Sequence, residues 1–195
     1  MMELHLIRHG KTPATEQKLY CGQTDLPLSE RGVAEITLLK HQGLYPQSVE
    51  LFFTSGMTRT EQTLDLIYGD VPRKAVPYLA EFKFGLLEMH SHEDLKGHNG
   101  YQRWIADQTD TIPCPNGESK KQFAERTLKG YSYVLNGIGQ AGNCSAVVLC
   151  HGGTIACIMA HLMPNAKDFY GWLPAPGHGY TLTYTEGQFK QYKTL

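Results

Sequence analysis

The chain has 195 residues, 41% of them hydrophobic and 10% aromatic, which is enough for one packed domain and too apolar for a disordered one. Eighteen Lys and Arg against nineteen Asp and Glu leave a formal net charge of −1, so no basic surplus points to nucleic acid or an anionic membrane. No run approaches the roughly 20 apolar residues that a membrane span needs.

In chain order, Glu3 to Arg8 alternates and then turns apolar, a strand ending at His9-Gly10. The stretch from Met1 to His9 lacks a basic lead and a long apolar run, so no secretory leader is expected. Ser29 is placed to cap a helix running to about Gln42, with Val33, Ile36 and Leu39 at helical spacing. Glu50 to Thr54 reads as a buried strand, and Thr58 to Tyr68 as a helix with Leu64 and Ile67 inward. Phe82 to Asn116 is mixed, with a short helical piece around Tyr101 to Gln108. Ser119 to Ile138 is the longest predicted helix, with Phe123, Thr127, Tyr131, Val134 and Ile138 on one stripe. Ser145 to Cys150 is a strand buried on both faces, and Gly152 to Met163 a helix. The end reads as a hairpin, Gly179 to Thr185 and Gln188 to Tyr192 around Glu186-Gly187. Strands alternate with helices, which predicts an α/β fold: a three-layer α/β/α sandwich with a mostly parallel central sheet, one domain over residues 1–195.

The five cysteines, at 21, 114, 144, 150 and 157, are scattered and form no C-x-x-C, so reduced thiols and a cytoplasmic location are expected.

One local pattern occurs twice. Leu6-Ile7-Arg8-His9-Gly10 and Val148-Leu149-Cys150-His151-Gly152-Gly153 are each an apolar strand ending in His-Gly. Sites of open α/β sheets form at the carboxyl ends of strands, so His9 and His151 are expected to face one another there. The adjacent glycines free backbone N–H groups for an anion. Arg8 adds a positive fork, and Arg59 adds another at the start of the helix after the Glu50–Thr54 strand. Two arginines with two histidines make a site for a phosphate-like dianion, since Arg grips such oxygens in pairs. Taken singly, a strand-end histidine or a surface arginine is equally ordinary.

These residues resemble a known family. Leu6-Ile7-Arg8-His9-Gly10-Lys11-Thr12 is similar to the L-x-R-H-G-x-T signature of the histidine phosphatase superfamily, which includes cofactor-dependent phosphoglycerate mutase. The resemblance continues in order: Gly22 to Gly32 with G-x-x-D-x-P-L-[ST]-x-x-G, Thr54 to Thr63 with S-P-L-x-R-[AC]-x-Q-T, Leu79 to Gly85 with L-x-E-x-x-x-G, Gly117-Glu118-Ser119 with G-E-S, and Val148 to Ile155 with V-x-x-H-G-G-x-I. It implies the phosphoglycerate mutase-like sandwich. It also implies roles. His9 matches the nucleophile that becomes phosphohistidine. Arg8, Arg59 and His151, with Gly152 beside it, match the groups that hold the phosphoryl oxygens, and Glu81 matches the acid that protonates the leaving oxygen. Nearby Arg charges are expected to keep the His9 lone pair available.

Three departures stand out. Gly56 replaces the proline of the S-P-L box, which is expected to loosen the loop presenting Arg59. Leu87-Glu88-Met89 replaces W-E-G, and Thr15 replaces the asparagine seven residues after the motif arginine. Thr15 and Gln23 are weaker candidates for substrate binding.

Sixty-nine residues lie between Glu81 and His151. Mutases of the family carry a longer insertion there, so the resemblance favours hydrolysis, with mutase-type transfer and a non-catalytic phospho-ligand binding module as alternatives. Among small members the pattern looks most like α-ribazole-phosphate phosphatases, which makes α-ribazole 5'-phosphate one candidate substrate. Residues 82–116 are expected to form a lid. Its Phe84, His90, His92, Tyr101 and Trp104 either stack on substrate or pack the lid onto the core. Glu88, His90, His92, Glu93 and His98 lack a defined ligand spacing, so no metal is expected and no cofactor. Cys150, inside a buried strand, is expected to be an inert thiol, and His178 to sit at the site rim. The expected partner is a small phosphomonoester, with neither nucleic acid nor membrane; a homodimer is left open.

Overall fold

The computed structural model describes residues 2–142, 144–185 and 188–195. Six strands form one sheet: β1 (Glu3–Arg8), β2 (Leu51–Thr54), β3 (Lys74–Ala75), β4 (Ala146–Cys150), β5 (Gly179–Thr185) and β6 (Gln188–Thr194), in the spatial order β3-β2-β4-β1-β5-β6. The first four run parallel, and β5 and β6 are antiparallel at one end. The hairpin strands form as expected, and the Glu186-Gly187 turn lies outside the described residues.

Seven α-helices accompany the described strands: α1 (Pro13–Glu16), α2 (Glu30–His41), α3 (Thr58–Tyr68), α4 (His92–Leu95), α5 (Asn99–Ile105), α6 (Lys120–Gln140) and α7 (Gly152–Leu162). The strand period of two decides the layering. Leu4, Leu6, Val148 and Cys150 pack on one face with Val134 and Ile138 of α6 and Ile155 and Met159 of α7. Ile7, Val147 and Leu149 pack on the other with Ile36 of α2 and Leu64 and Ile67 of α3. This is the expected three-layer sandwich. Every residue of β4 is buried, as an interior parallel strand requires.

Helix ends follow their capping chemistry. Ser29 caps α2 through the Gly32 N–H, and Ser119 with Gln122 forms a reciprocal capping box on α6. The stripe from Phe123 to Ile138 is buried throughout. Two expectations shift. Val33 is 39% exposed, and Gly32 is buried in its place. The start of α2 presses on the loop after β1, where a Cβ on Gly32 would stand 2.1 Å from the Lys11 carbonyl oxygen. The short helix expected at Tyr101 to Gln108 lies at Asn99–Ile105. His98 caps it from the Tyr101 N–H, and beyond its end Asp107 accepts the N–H groups of Thr109 and Ile112, which turns the chain away.

Phe82, Leu87, Leu95, Tyr101, Trp104 and Cys114 make a separate apolar cluster with Phe123 of α6 and Cys157 of α7. The segment expected to be a lid therefore carries its own small core.

Candidate active site

Register brings the chemistry together. β1 and β4 pair in parallel with Arg8 opposite Cys150, so His9 and His151 leave the same edge of the sheet. Their ring centroids are 5.1 Å apart at an interplanar angle of 65°. Thr54 of β2 lies opposite Leu149, which brings Ser55 to the same edge. The His151 ring nitrogen Nε2 bonds the Ser55 hydroxyl at 2.8 Å.

Hydrogen bonds assign the tautomers. Among the described residues the only partner of His9 Nδ1 is the Gly10 carbonyl, 2.7 Å away, so Nδ1 carries the proton and donates. Nε2 is left with a lone pair, which accepts from Arg59 Nε at 3.2 Å. The same Arg59 Nε donates to His151 Nδ1 at 3.3 Å. Burial holds both histidines well below their ordinary pKa; the Arg59 and Arg8 charges push the same way. Burial is the larger cause, ahead of the arginine charges expected from the sequence.

Arg59 is 1% exposed, and among the described residues no carboxylate lies closer to it than Asp25 at 4.0 Å. Its terminal nitrogens donate to the carbonyls of Thr24 at 3.0 Å and Gly22 at 2.7 Å. Arg8 donates from one terminal nitrogen to the Pro174 carbonyl at 2.8 Å, while its buried Nε has no partner among the described residues. Two guanidinium charges thus converge with dipoles for company, and a dianion would complete them. Gly152 backs Arg8: a Cβ there would stand 3.2 Å from the guanidinium carbon. α7 also begins at this edge, with the positive end of its dipole toward the site.

Glu81 shares the cavity with His9, Arg8 and Arg59. Its carboxylate accepts from the backbone N–H of Phe82 at 2.9 Å and of Gly153 at 2.9 Å. Arg126 of α6 holds its main chain, donating to the carbonyls of Tyr78 at 2.8 Å, Ala80 at 2.9 Å and Glu81 at 3.3 Å. Glu118 of the G-E-S motif orients that arginine at 2.6 Å and also accepts the Lys83 N–H at 2.8 Å.

The cavity is about 340 Å³. Thr15 lines it, with its hydroxyl 3.1 Å from that of Thr12 in the α1 cap. Gln23 is exposed and outside the lining; its amide donates to the Glu81 carbonyl at 2.8 Å. His178 is half-buried, with Nδ1 3.1 Å from the Pro176 carbonyl and no place in the main cavity's lining. Gly56 adopts φ +83, which proline cannot reach, and its N–H bonds the Thr54 hydroxyl at 3.1 Å. Ser55 bonds Thr60 at 3.1 Å on the other side, so the loop expected to be loose is tied at both ends.

Of the five aromatic lid residues, only His92 lines the cavity. Tyr101 and Trp104 are buried and Phe84 packs against them, so they build the lid core. His90 Nδ1 lies 2.8 Å from the Glu88 carbonyl, and His98 caps α5; among the described residues no three His, Cys, Asp or Glu side chains converge as metal ligands. Burial pushes the Cys150 thiol up, away from the reactive thiolate.

Sequence reasoning assigned no role to Ser55, Glu88, Glu118, Arg126 or Tyr20. Glu88 accepts the Gln23 and Thr24 N–H groups at 2.8 and 2.7 Å, which fixes the loop whose carbonyls hold Arg59. Ser55, Glu88 and Glu118 sit inside the quoted motifs, and that was the available signal.

A buried imidazole lone pair, two converging guanidiniums and a carboxylate at the carboxyl edge of a mostly parallel sheet define an α/β enzyme built to handle a phosphoryl group. Residues 4–194 match the histidine phosphatase superfamily (branch 1), and the chain belongs to that superfamily. It is 32% identical to an adenosylcobalamin/α-ribazole phosphatase of Escherichia coli, covering 83% of this chain and 79% of that one. It is 33% identical to a 2,3-bisphosphoglycerate-dependent phosphoglycerate mutase of Bradyrhizobium diazoefficiens, covering 80% and 78%. The α-ribazole phosphatase structure from Shigella flexneri superposes with a TM-score of 0.81 at 25% identity, covering 97% and 95%. Membership of that superfamily and the phosphatase relatives support a phosphatase enzyme. No helix among the described residues is long and apolar enough to cross a membrane.

Proposed function

We propose that the chain is a metal-independent phosphomonoesterase that works through a phosphohistidine on His9. The observation that carries this is the unprotonated His9 Nε2, which opens on a cavity shared with Arg8, Arg59 and Glu81 while Nδ1 is pinned to Gly10. In the first step Nε2 forms a bond to phosphorus and the bond to the ester oxygen breaks. Protonated Glu81 gives the departing alkoxide its proton. In the second step Glu81 takes a proton from water, whose oxygen attacks phosphorus as the N–P bond breaks. Arg8 and Arg59 neutralise the equatorial oxygens throughout. His151 Nδ1 accepts from Arg59 Nε. It donates to a phosphoryl oxygen only after gaining a proton, which an arriving dianion favours by offsetting both arginine charges.

Residues 82–116 act as the lid of a single catalytic domain. Backbone bonds Tyr20 N–H to His90 C=O (2.9 Å) and Met89 N–H to Tyr20 C=O (2.7 Å) support this, since they tie the segment to the cavity wall. The relatives make α-ribazole 5'-phosphate the first substrate to try. The five free cysteines support a reducing, cytoplasmic location.

The test is turnover of p-nitrophenyl phosphate, expected to persist in EDTA and to be blocked by vanadate. A panel of phosphorylated metabolites read as kcat/KM then ranks substrates. Isomerisation dependent on 2,3-bisphosphoglycerate and faster than hydrolysis would overturn the phosphatase reading in favour of a mutase.

A further inference from the structure

His92 and Tyr20 face the cavity from opposite sides of the chain's connectivity, and Tyr101 joins them from behind. The Tyr101 hydroxyl lies 2.6 Å from His92 Nδ1 and 2.8 Å from the Tyr20 hydroxyl. Tyr101 is fully buried, whereas His92 and Tyr20 both line the cavity. The His92 and Tyr101 rings also meet edge to face, with centroids 5.6 Å apart.

Proton accounting gives this chain a direction. Each tyrosine has one proton to donate, and the two bonds need two donors. If Tyr20 donates to Tyr101 and Tyr101 donates to His92 Nδ1, every hydroxyl proton is used. Run the other way, the donor left without a partner among the described residues is the half-buried Tyr20 hydroxyl instead of the exposed His92 ring, and an unpaired donor costs more where it is buried. In the satisfied arrangement Nδ1 accepts, so the His92 ring carries a proton on Nε2. His92 then offers the cavity an N–H donor from a ring whose other nitrogen is fixed.

Lys18 lines the same cavity. Its backbone is left-handed, at φ 56, and is held there by its N–H bonding the Thr15 carbonyl at 3.2 Å. This wall belongs to the lid and to the 18–21 loop, apart from the Arg8, Arg59 and His151 cluster. Two donors with no acceptor among the described residues suit an alcohol half rich in oxygen acceptors.

We propose that His92, positioned by Tyr101, is a specificity-determining residue that donates from Nε2 to an oxygen of the substrate's alcohol half, selecting hydroxylated, sugar-like phosphomonoesters. This rests on the phosphatase reading above. The measured quantity is the ratio of kcat/KM for ribose 5-phosphate to that for phenyl phosphate, whose leaving half carries no oxygen besides the ester oxygen. In His92→Ala the ratio should fall about tenfold, the scale of one lost hydrogen bond to substrate. His92→Gln places an amide N–H near the position of Nε2 and should restore most of the ratio. Tyr101→Phe, with its fold checked by circular dichroism, should lower the ratio in the same direction.

An unchanged ratio in His92→Ala, or an equal loss on both substrates, overturns the proposal while leaving the phosphatase reading intact. Wild-type turnover of the aryl ester without ribose 5-phosphate overturns the substrate class. Wild-type turnover of neither overturns the phosphatase reading, and this inference with it.

Discussion

His9 is a nucleophile because its two nitrogens are treated differently. One is pinned by the Gly10 carbonyl, and the other keeps its lone pair because burial and two guanidiniums keep the ring neutral. His9→Ala is therefore expected to lose turnover by at least about a thousandfold, with far-ultraviolet circular dichroism unchanged. Since the pKa is held well below 6.5, nucleophile protonation should not limit kcat/KM near pH 6.5, and the acid limb of the profile should lie lower. A limb centred on the ordinary histidine value would contradict this. Glu81 has two tasks that separate experimentally. p-Nitrophenolate leaves without help, but hydrolysis of the phosphohistidine still needs a base. Glu81→Gln should release p-nitrophenol in a burst of about one equivalent per site, followed by slow turnover; linear kinetics from the first turnover would contradict the second role. The nucleophile, the cations and the acid were legible because each lies within a short motif. The tautomers were not, since they depend on Gly10 and Ser55 in space.

The elements explain what the motifs do for one another. Arg126, on α6, reaches the carbonyls of Tyr78, Ala80 and Glu81, more than forty positions away in sequence. Glu118 steers it, so the G-E-S motif serves the loop that carries the acid. Arg126→Met keeps the aliphatic stem and removes the clamp. It should lower kcat on alkyl phosphates by about ten- to a hundredfold, the cost of a small misplacement of a reacting group, with KM changed less. Equal changes in kcat and KM would point to general loosening instead. Helix extents were legible where an apolar stripe carries them, as in α3, and where a cap agrees with the stripe, as in α6. α1, α4 and β3 were not, because pieces of two to four residues carry too little periodicity. Val33 escaped the core because a backbone contact at Gly32, invisible to hydrophobic spacing, sets the rotation of α2.

At the scale of the whole molecule, the near-neutral charge conceals a strongly polarised interior. His5, His9 and His151 are all buried with lowered pKa values, burial being the largest cause for each. An unfolded chain would protonate all three near 6.5, so folding stability should fall as pH drops below about 6.5, by up to about 1.4 kcal/mol per pH unit per histidine. Urea midpoints between pH 7 and 5 measure this, and His9→Gln should reduce the slope by about one proton. A slope unaltered by that substitution would show that His9 does not titrate as described. The three-layer architecture was legible from alternation alone, while the lid's separate core was not, because its aromatics suited a ligand as well as one another. The central claim is a covalent bond from His9 Nε2 to phosphorus, and rapid acid-free quenching with a radiolabelled phosphomonoester tests it directly. A label that is acid-labile, base-stable, recovered on the His9 peptide and absent from His9→Ala is the predicted result. An acid-stable label, or one on another residue, would contradict it.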